Sequence, residues 1–156
     1  MHLSQVLNES DRMEEYWNPM VPELSVSNFE VSLAFYVDVL GFSVRIKREN
    51  PDFVYLEQEQ VQIMLEQITD KGWVTGELIA PLGRGVNFQI ELKDLEPLIQ
   101  RLQHFKVKLF RELKETWYDI GEKLSGEREL LVQDPDGYLL RFTQHLGEKP
   151  KDIGEL

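Results

Sequence analysis

Apolar and polar residues alternate cleanly in Val61-Gln62-Ile63-Met64-Leu65, which puts Val61, Ile63 and Leu65 on one face of a strand. The same logic predicts strands over Val21–Val26, Phe42–Arg48 and Phe53–Gln58, with Asn50-Pro51-Asp52 as a turn. Between the first two, the spacing changes. Phe29, Leu33, Phe35, Tyr36 and Leu40 fall on one broad face of a helix, with Asn28 as N-cap and Gly41 as C-cap. The pattern then recurs: a strand over Val86–Leu92, an N-cap at Asp94, and a helical stripe of Leu95, Leu98, Ile99 and Leu102. Strands over Val107–Phe110, Arg128–Gln133 and Tyr138–Gln144 follow. The two helix starts, Asn28-Phe29-Glu30 and Asp94-Leu95-Glu96, lie 66 positions apart, a period that indicates a duplicated unit.

The expected fold is therefore α+β, with two tandem βαβββ modules whose mixed sheets curl around a cleft. Residues 1–19 form an N-terminal appendage, 20–67 the first module, 68–84 a connector, 85–146 the second module and 147–156 a polar tail. Within the appendage, Asn8-Glu9-Ser10-Asp11 offers a helix start, with Met13, Tyr16 and Trp17 on one face and Trp17 covering the core edge. In the connector, Thr69, Gly72, Pro81, Gly83 and Gly85 favour irregular backbone.

Composition narrows the chemistry. The 156 residues include no cysteine, which removes thiolate catalysis, Cys–metal sites and disulfides and fits a cytoplasmic location. No apolar run of about 18 residues marks a membrane span, and the polar, acidic start is not a secretory signal. A net charge of −11, from 28 acidic against 17 basic side chains, leaves no basic footprint for nucleic acid; it serves solubility, and its functional reading is a field that attracts a cationic ligand. No GxSxG elbow, P-loop or dinucleotide fingerprint is present. Glu57, Glu59, Glu66 and Glu91 lie on strands, either solvated and paired with Lys or Arg, or turned inward as bases of raised pKa. The histidines are isolated in sequence: His2 in the appendage, His104 at a helix end, His145 after the last strand, so a His–carboxylate cluster would have to be assembled by folding.

Three strings carry a resemblance. Val21–Asn28 leads into Ser32-Leu33-Ala34-Phe35-Tyr36-Val37-Asp38-Val39-Leu40-Gly41-Phe42. Gly85-Val86-Asn87-Phe88-Gln89-Ile90-Glu91-Leu92-Lys93-Asp94 is the second. The third is Glu115–Gly121 followed by Arg128–Phe142, whose Asp134-Pro135-Asp136-Gly137 makes a tight turn: Pro135 presets φ and Gly137 tolerates positive φ. In this order, over residues 20 to 145, the chain resembles the bleomycin-resistance branch of the glyoxalase / bleomycin resistance / extradiol dioxygenase superfamily.

The resemblance implies a paired-module fold, a homodimer and a small-molecule cleft. In the superfamily's metal enzymes, four strand positions supply His, Gln or Glu ligands. Here they correspond to Val21, Met64, Phe88 and Arg141. Val, Met and Phe do not suit a hard or borderline cation. A guanidinium at roughly 5 Å from a divalent ion costs about 6 kcal/mol at an effective dielectric of about 20. The resemblance thus implies a metal-free, cofactor-free binding protein that sequesters a cationic, partly aromatic ligand such as a bleomycin-family antibiotic. Trp117, Tyr118, Phe53, Phe88 and Trp73 would stack on the ligand, Glu115 and Asp119 attract it, and Arg141 hold an anionic or carbonyl group. Trp117 and Tyr118 are read as part of a polar segment, Lys114 to Lys123. One departure stands out: drug-binding members carry a tryptophan before the seventh strand, where this chain has Ser125-Gly126-Glu127. The alternatives are a metal-dependent lyase or dioxygenase, a binder of an endogenous metabolite, and an interaction module using the fold as a dimer scaffold.

Overall fold

The computed structural model describes residues 16–151. The helix start expected at Asn8–Asp11, together with Met13, lies outside the described residues. The chain runs β1 (Glu23–Val26), α1 (Phe29–Ala34, continued by a π-helical turn over Phe35–Val39), β2 (Ser43–Arg48), β3 (Phe53–Gln58) and β4 (Val61–Gln67). It continues β5 (Asn87–Glu91), α2 (Glu96–His104), β6 (Arg111–Asp119), β7 (Lys123–Gln133) and β8 (Leu139–Pro150). Two four-stranded mixed sheets result, ordered β1-β4-β3-β2 and β5-β8-β7-β6, so the expected βαβββ repeat is present twice. No helix among the described residues is long and apolar enough to cross a membrane.

Two compact units form, and they do not coincide with the repeats. The first unit holds β1 and β2–β4; the second holds Glu30–Gly41 and everything from Trp73 on. In the first unit, Leu24, Val54 and Leu65 share one row of the sheet and Leu56 and Ile63 another, all buried. The opposite face carries Glu23, Met64, Tyr55 and Ile46 in one row and Ser25, Glu66, Phe53 and Arg48 in the next. The segment Tyr16–Asn18 docks here: the Asn18 amide donates to Gln62 Oε1 (2.8 Å), and the Arg45 guanidinium lies 3.8 Å over the Trp17 ring. Trp17 meets Tyr55 edge-to-face, consistent with its expected cover of the core edge.

In the second unit, Ile90, Phe142 and Leu130 form one buried row and Leu140 with Val132 another. Tyr36, Val39 and Leu40 of the first helix, and Leu95, Leu98 and Leu102 around α2, complete this core. Arg101 of α2 ties the two helices together by donating from Nε to the Val39 carbonyl (2.9 Å) and from Nη2 to the Leu40 carbonyl (3.1 Å). Those carbonyls are orphaned by the end of the helix, so a charged donor there satisfies and electrostatically complements it. Gly41, at φ 90°, ends that helix as expected.

The β7–β8 turn is built as its sequence predicts. The Gly137 amide donates to the Asp134 carbonyl (3.0 Å), and Gly137 has φ 99°. A Cβ on Gly137 would also lie 2.5 Å from Pro81 Cβ, so glycine is required twice over. Asp134 Oδ1 accepts from the Asp136 and Tyr138 amides (2.9 Å each), and its Oδ2 accepts from the Tyr36 hydroxyl (2.9 Å).

Several expected boundaries move. The second strand of the second module lies at Arg111–Asp119 and not at Val107–Phe110. The ladder to β7 begins at Arg111, opposite Leu131, on a largely exposed edge strand where hydropathy is a poor guide. Lys114–Asp119 is therefore strand, not an isolated polar segment. β7 starts at Lys123 and β8 extends to Pro150, so the front of the expected tail, Gly147–Pro150, pairs with Lys123–Gly126. His145 sits inside β8 and not after it.

Two stability outcomes follow from Asp134. Tyr36→Phe leaves a buried carboxylate oxygen without its donor and should cost about 1–3 kcal/mol, read from the urea midpoint. Burial pushes the Asp134 carboxyl up from its ordinary 3.8 to about 6, against the lowering effect of its three hydrogen bonds. A raised carboxyl pKa favours the protonated fold, so this group's contribution to stability falls as pH rises from about 4 to about 6. The stability of the parent relative to Asp134→Asn should thus decline by about 2–3 kcal/mol across that window and then level off.

Candidate functional site

The second sheet has one oily face and one polar face. Strand alternation and the ladder registers place Asn87, Gln89 and Glu91 of β5 beside Leu139, Arg141 and Thr143 of β8. Glu127 and Glu129 of β7 lie opposite His145 and Thr143, and Thr116 and Tyr118 of β6 lie opposite Glu127 and Ser125. A cavity of about 270 Å³ opens on this face, lined by Gln89, Tyr118, Ile120, Ser125, Glu127, Glu129 and Arg141.

Its polar groups are only partly paired. Arg141 Nη2 donates to Gln89 Oε1 (2.9 Å), and the Tyr118 hydroxyl donates to Glu129 Oε1 (2.8 Å). Glu129 is 6% exposed, a carboxylate drawn out of water. The hydrogen bond to Glu129 raises the Tyr118 phenol above its ordinary value of 10, burial adds to this, and the Arg141 guanidinium opposes it. Glu127 Oε1 meets His145 Nδ1 at 3.2 Å. Of the six side-chain atoms buried without a hydrogen-bond partner among the described residues, three lie on this face: Glu127 Oε2, Arg141 Nε and Thr143 Oγ1. Orphaned buried polar atoms are rare in native proteins and mark places where water, an ion or a ligand completes the bonding. Three on one face identify this surface as the candidate site.

A further depression, about 380 Å³, lies in the first unit along β2 and is lined by Trp17, Ser43, Val44, Arg45, Ile46 and Glu57. Its central cation is already engaged, by the Trp17 ring and by Glu57 at 3.9 Å. It is larger but offers less unmet chemistry.

Of the residues named from sequence, Tyr118 and Arg141 meet in the cavity; the others do not join them. Trp117, one position from Tyr118, points to the opposite side of the strand. Its ring packs over Gly126, where a Cβ would lie 2.6 Å from Trp117 Cη2, beneath Lys149 Nζ at 3.9 Å. Glu115 is spent on that ring, accepting from Trp117 Nε1 (2.9 Å). Asp119 is exposed and held below the usual carboxylate range by Lys151 and by the Gly121 amide. Trp73 is 99% exposed on the segment before β5. Phe53 is buried in the first unit with the Arg48 guanidinium 4.1 Å from its ring centre.

Two of the four positions matched to the superfamily's metal ligands also need correction. Phe88 is in register with Leu140, on the oily face; the residue beside Arg141 is Gln89. Val21 precedes β1, and the residue in register with Met64 is Glu23. Glu23 has its carboxyl pKa raised by burial and by the neighbouring Glu66 carboxylate. A one-residue offset in a strand exchanges its faces, which is why the motif spacing missed Gln89; Glu23 lies two positions on from Val21, where the strand itself begins. The corrected set contains oxygen donors, but in the second sheet Gln89 Oε1 is taken by Arg141, whose guanidinium has no lone pair to give.

Sequence reasoning passed over Gln89, Glu127, Glu129 and Thr143 as site residues. A signal existed: the alternation Asn87, Gln89, Glu91 against Phe88, Ile90, Leu92 marks a strand with one wet face. The Tyr118–Glu129 bond is directly testable. Ultraviolet titration should show Tyr36, Tyr55 and Tyr118 all ionising above the ordinary range, with Glu129→Gln shifting only one of the three back down.

The profile of the glyoxalase/bleomycin resistance protein/dioxygenase superfamily matches residues 20–142. A curated bleomycin resistance protein from Geobacillus stearothermophilus is 27% identical over 135 residues, covering 81% of this chain and 96% of the relative; one from Staphylococcus aureus matches equally. Among solved structures, TioX from Micromonospora sp. ML1 aligns over 83% of this chain and all of its own (TM-score 0.63, 19% identity). The bleomycin resistance determinant encoded on transposon Tn5 aligns over 84% of this chain and all of its own (TM-score 0.57, 18% identity).

Proposed function

This chain belongs to the glyoxalase/bleomycin resistance protein/dioxygenase superfamily, and on that premise we propose that it is a small-molecule binding protein that sequesters a cationic, hydrogen-bonding ligand of the bleomycin class without making or breaking a bond. The observation that carries the reading is the polar face of the second sheet, with its three buried, unpartnered atoms: Glu127 Oε2, Arg141 Nε and Thr143 Oγ1. A buried group left without a bond costs about 1–3 kcal/mol, which a ligand's own donors and acceptors recover.

Charge supports a cation. Glu127 and Glu129 line the cavity against the single guanidinium of Arg141, and the whole chain carries −11. In a partly dry site such carboxylates attract a ligand cation more strongly than they would in water. The revised role for Arg141 is to hold a carbonyl or other acceptor, with Gln89 fixing its guanidinium. Tyr118 provides the one aromatic surface at the cavity, so stacking is a smaller part of binding than the sequence suggested. Because Arg141 occupies the ligand row of this sheet, the reading needs no metal there and routes no step through one.

A homodimer is part of the proposal. β6 is a sheet edge, and Phe110, Leu113, Tyr118 and Ile120 along it are exposed. Native proteins rarely leave such an edge bare, because unpaired backbone beside apolar side chains invites association. Light scattering should give twice the chain mass.

Calorimetric titration with metal-free and with copper-loaded bleomycin tests the ligand class. The proposal expects saturable binding at micromolar affinity or tighter, weakened about tenfold or more, equivalent to about 1.4 kcal/mol, in Glu129→Gln and Arg141→Ala. No heat at high micromolar drug sinks the bleomycin-class assignment and redirects the search to endogenous cationic metabolites.

A further inference from the structure

One and two rows beyond Arg141 on the same face, the ligating atoms of Glu91, Glu127 and His145 lie within 4.8 Å of one another. The fold brings them together from three strands. Glu127 and His145 are direct cross-strand partners because the β7–β8 ladder shifts register between Gly126 and Glu127, leaving Leu146 as the extra residue. Bulges of this kind re-aim side chains. Glu91 comes from β5, in register with Thr143, two residues before His145.

Two further observations point to something missing from the middle of this group. Glu127 Oε2 is buried with no partner among the described residues. Thr143, 0% exposed and on the same face beside Glu91 and His145, also has an unpartnered hydroxyl oxygen. A fully buried hydroxyl between two cluster members signals a polar occupant, because neither apolar packing nor a protein acceptor explains it.

We propose that Glu91, Glu127 and His145 hold a divalent first-row transition-metal ion, with Thr143 bonding a ligand of that ion. Two carboxylates and one imidazole select zinc, nickel, manganese or iron over magnesium or calcium, which prefer all-oxygen shells. Metal–donor distances of about 2.0–2.2 Å need the three donor atoms only about 1–1.5 Å closer together than they stand, within reach of side-chain rotation. Three protein donors leave positions for water or for a donor from the cavity that Glu127 also lines. The site is distinct from the row of Gln89 and Arg141: four residues of strand, about 13 Å of backbone, separate Arg141 from His145. The ion would take Glu127 and Thr143, which the sequestration reading also uses, so the site goes beyond that reading without being independent of it; zinc titrated without drug, and Glu91→Gln outside the cavity lining, separate the two.

The test is calorimetric titration of the full chain, stripped with EDTA and dialysed, with zinc chloride alone. One site of micromolar affinity is expected, with His145→Ala and Glu91→Gln each weakening it at least about tenfold. His2→Ala and His104→Ala should leave it unchanged. Zinc should also raise the thermal midpoint of the parent by mass action and fail to raise that of the variants. Glu91 is exposed, so its replacement keeps the fold intact for comparison even where His145→Ala does not. Absence of saturable binding below millimolar zinc overturns the proposal. So does binding undiminished in Glu91→Gln and His145→Ala, which would place the ion elsewhere.

Discussion

The Asp134 carboxylate is the constraint on which the second unit depends. It accepts from Asp136 and Tyr138 within the β7–β8 turn and from Tyr36 on the first helix. The turn residues fix how β7 and β8 pair, and in a sheet with one dry face a slip of a single residue would turn every side chain over. Leu140 and Phe142 of β8 would face the polar side, and Arg141, Thr143 and His145 would enter the core. Holding this turn therefore also determines which residues meet on the polar face. Burial makes the anchor costly when charged, so the group both locks the register and carries a pH-dependent penalty.

The compact units add a second constraint. The helix that follows β1 in sequence completes the core of the second unit, where Arg101 caps its last carbonyls. The repeat seen in sequence is thus a unit of topology, and the packing unit cuts across it. Duplicated modules allow this, because equivalent helices present equivalent apolar faces and either sheet can accept them.

The polar face separates the roles of neighbouring rows. Arg141 gives one hydrogen bond to Gln89 and keeps its charge and a buried Nε unmet; Tyr118 and Glu129 form a second pair; Glu127 and His145 form a third with one carboxylate oxygen left over. A surface of half-satisfied pairs suits recognition of a polar ligand, since each incoming bond restores what burial removed. It differs from the aromatic clamp suggested by the sequence, because Trp117 belongs to the far side of β6 and Phe53 and Phe88 are not on this face.

The sequence by itself determined the fold class, the twofold repeat, both helices, the Asp-Gly turn and the superfamily. All but the last rest on hydropathic period and on local turn chemistry, which a linear chain displays; the superfamily rests on the resemblance carried by three motif strings. It also singled out Arg141 and Tyr118. Only tertiary structure decided the edge strand β6, the length of β8 and the partners of Asp134, because a polar edge strand leaves no hydropathic trace and its ladder is chosen by the neighbour it joins. For the same reason the cluster of Glu91, Glu127 and His145 was invisible as a group. Its members lie 36 and 18 residues apart in sequence, and only the pairing of three strands and one bulge makes them neighbours.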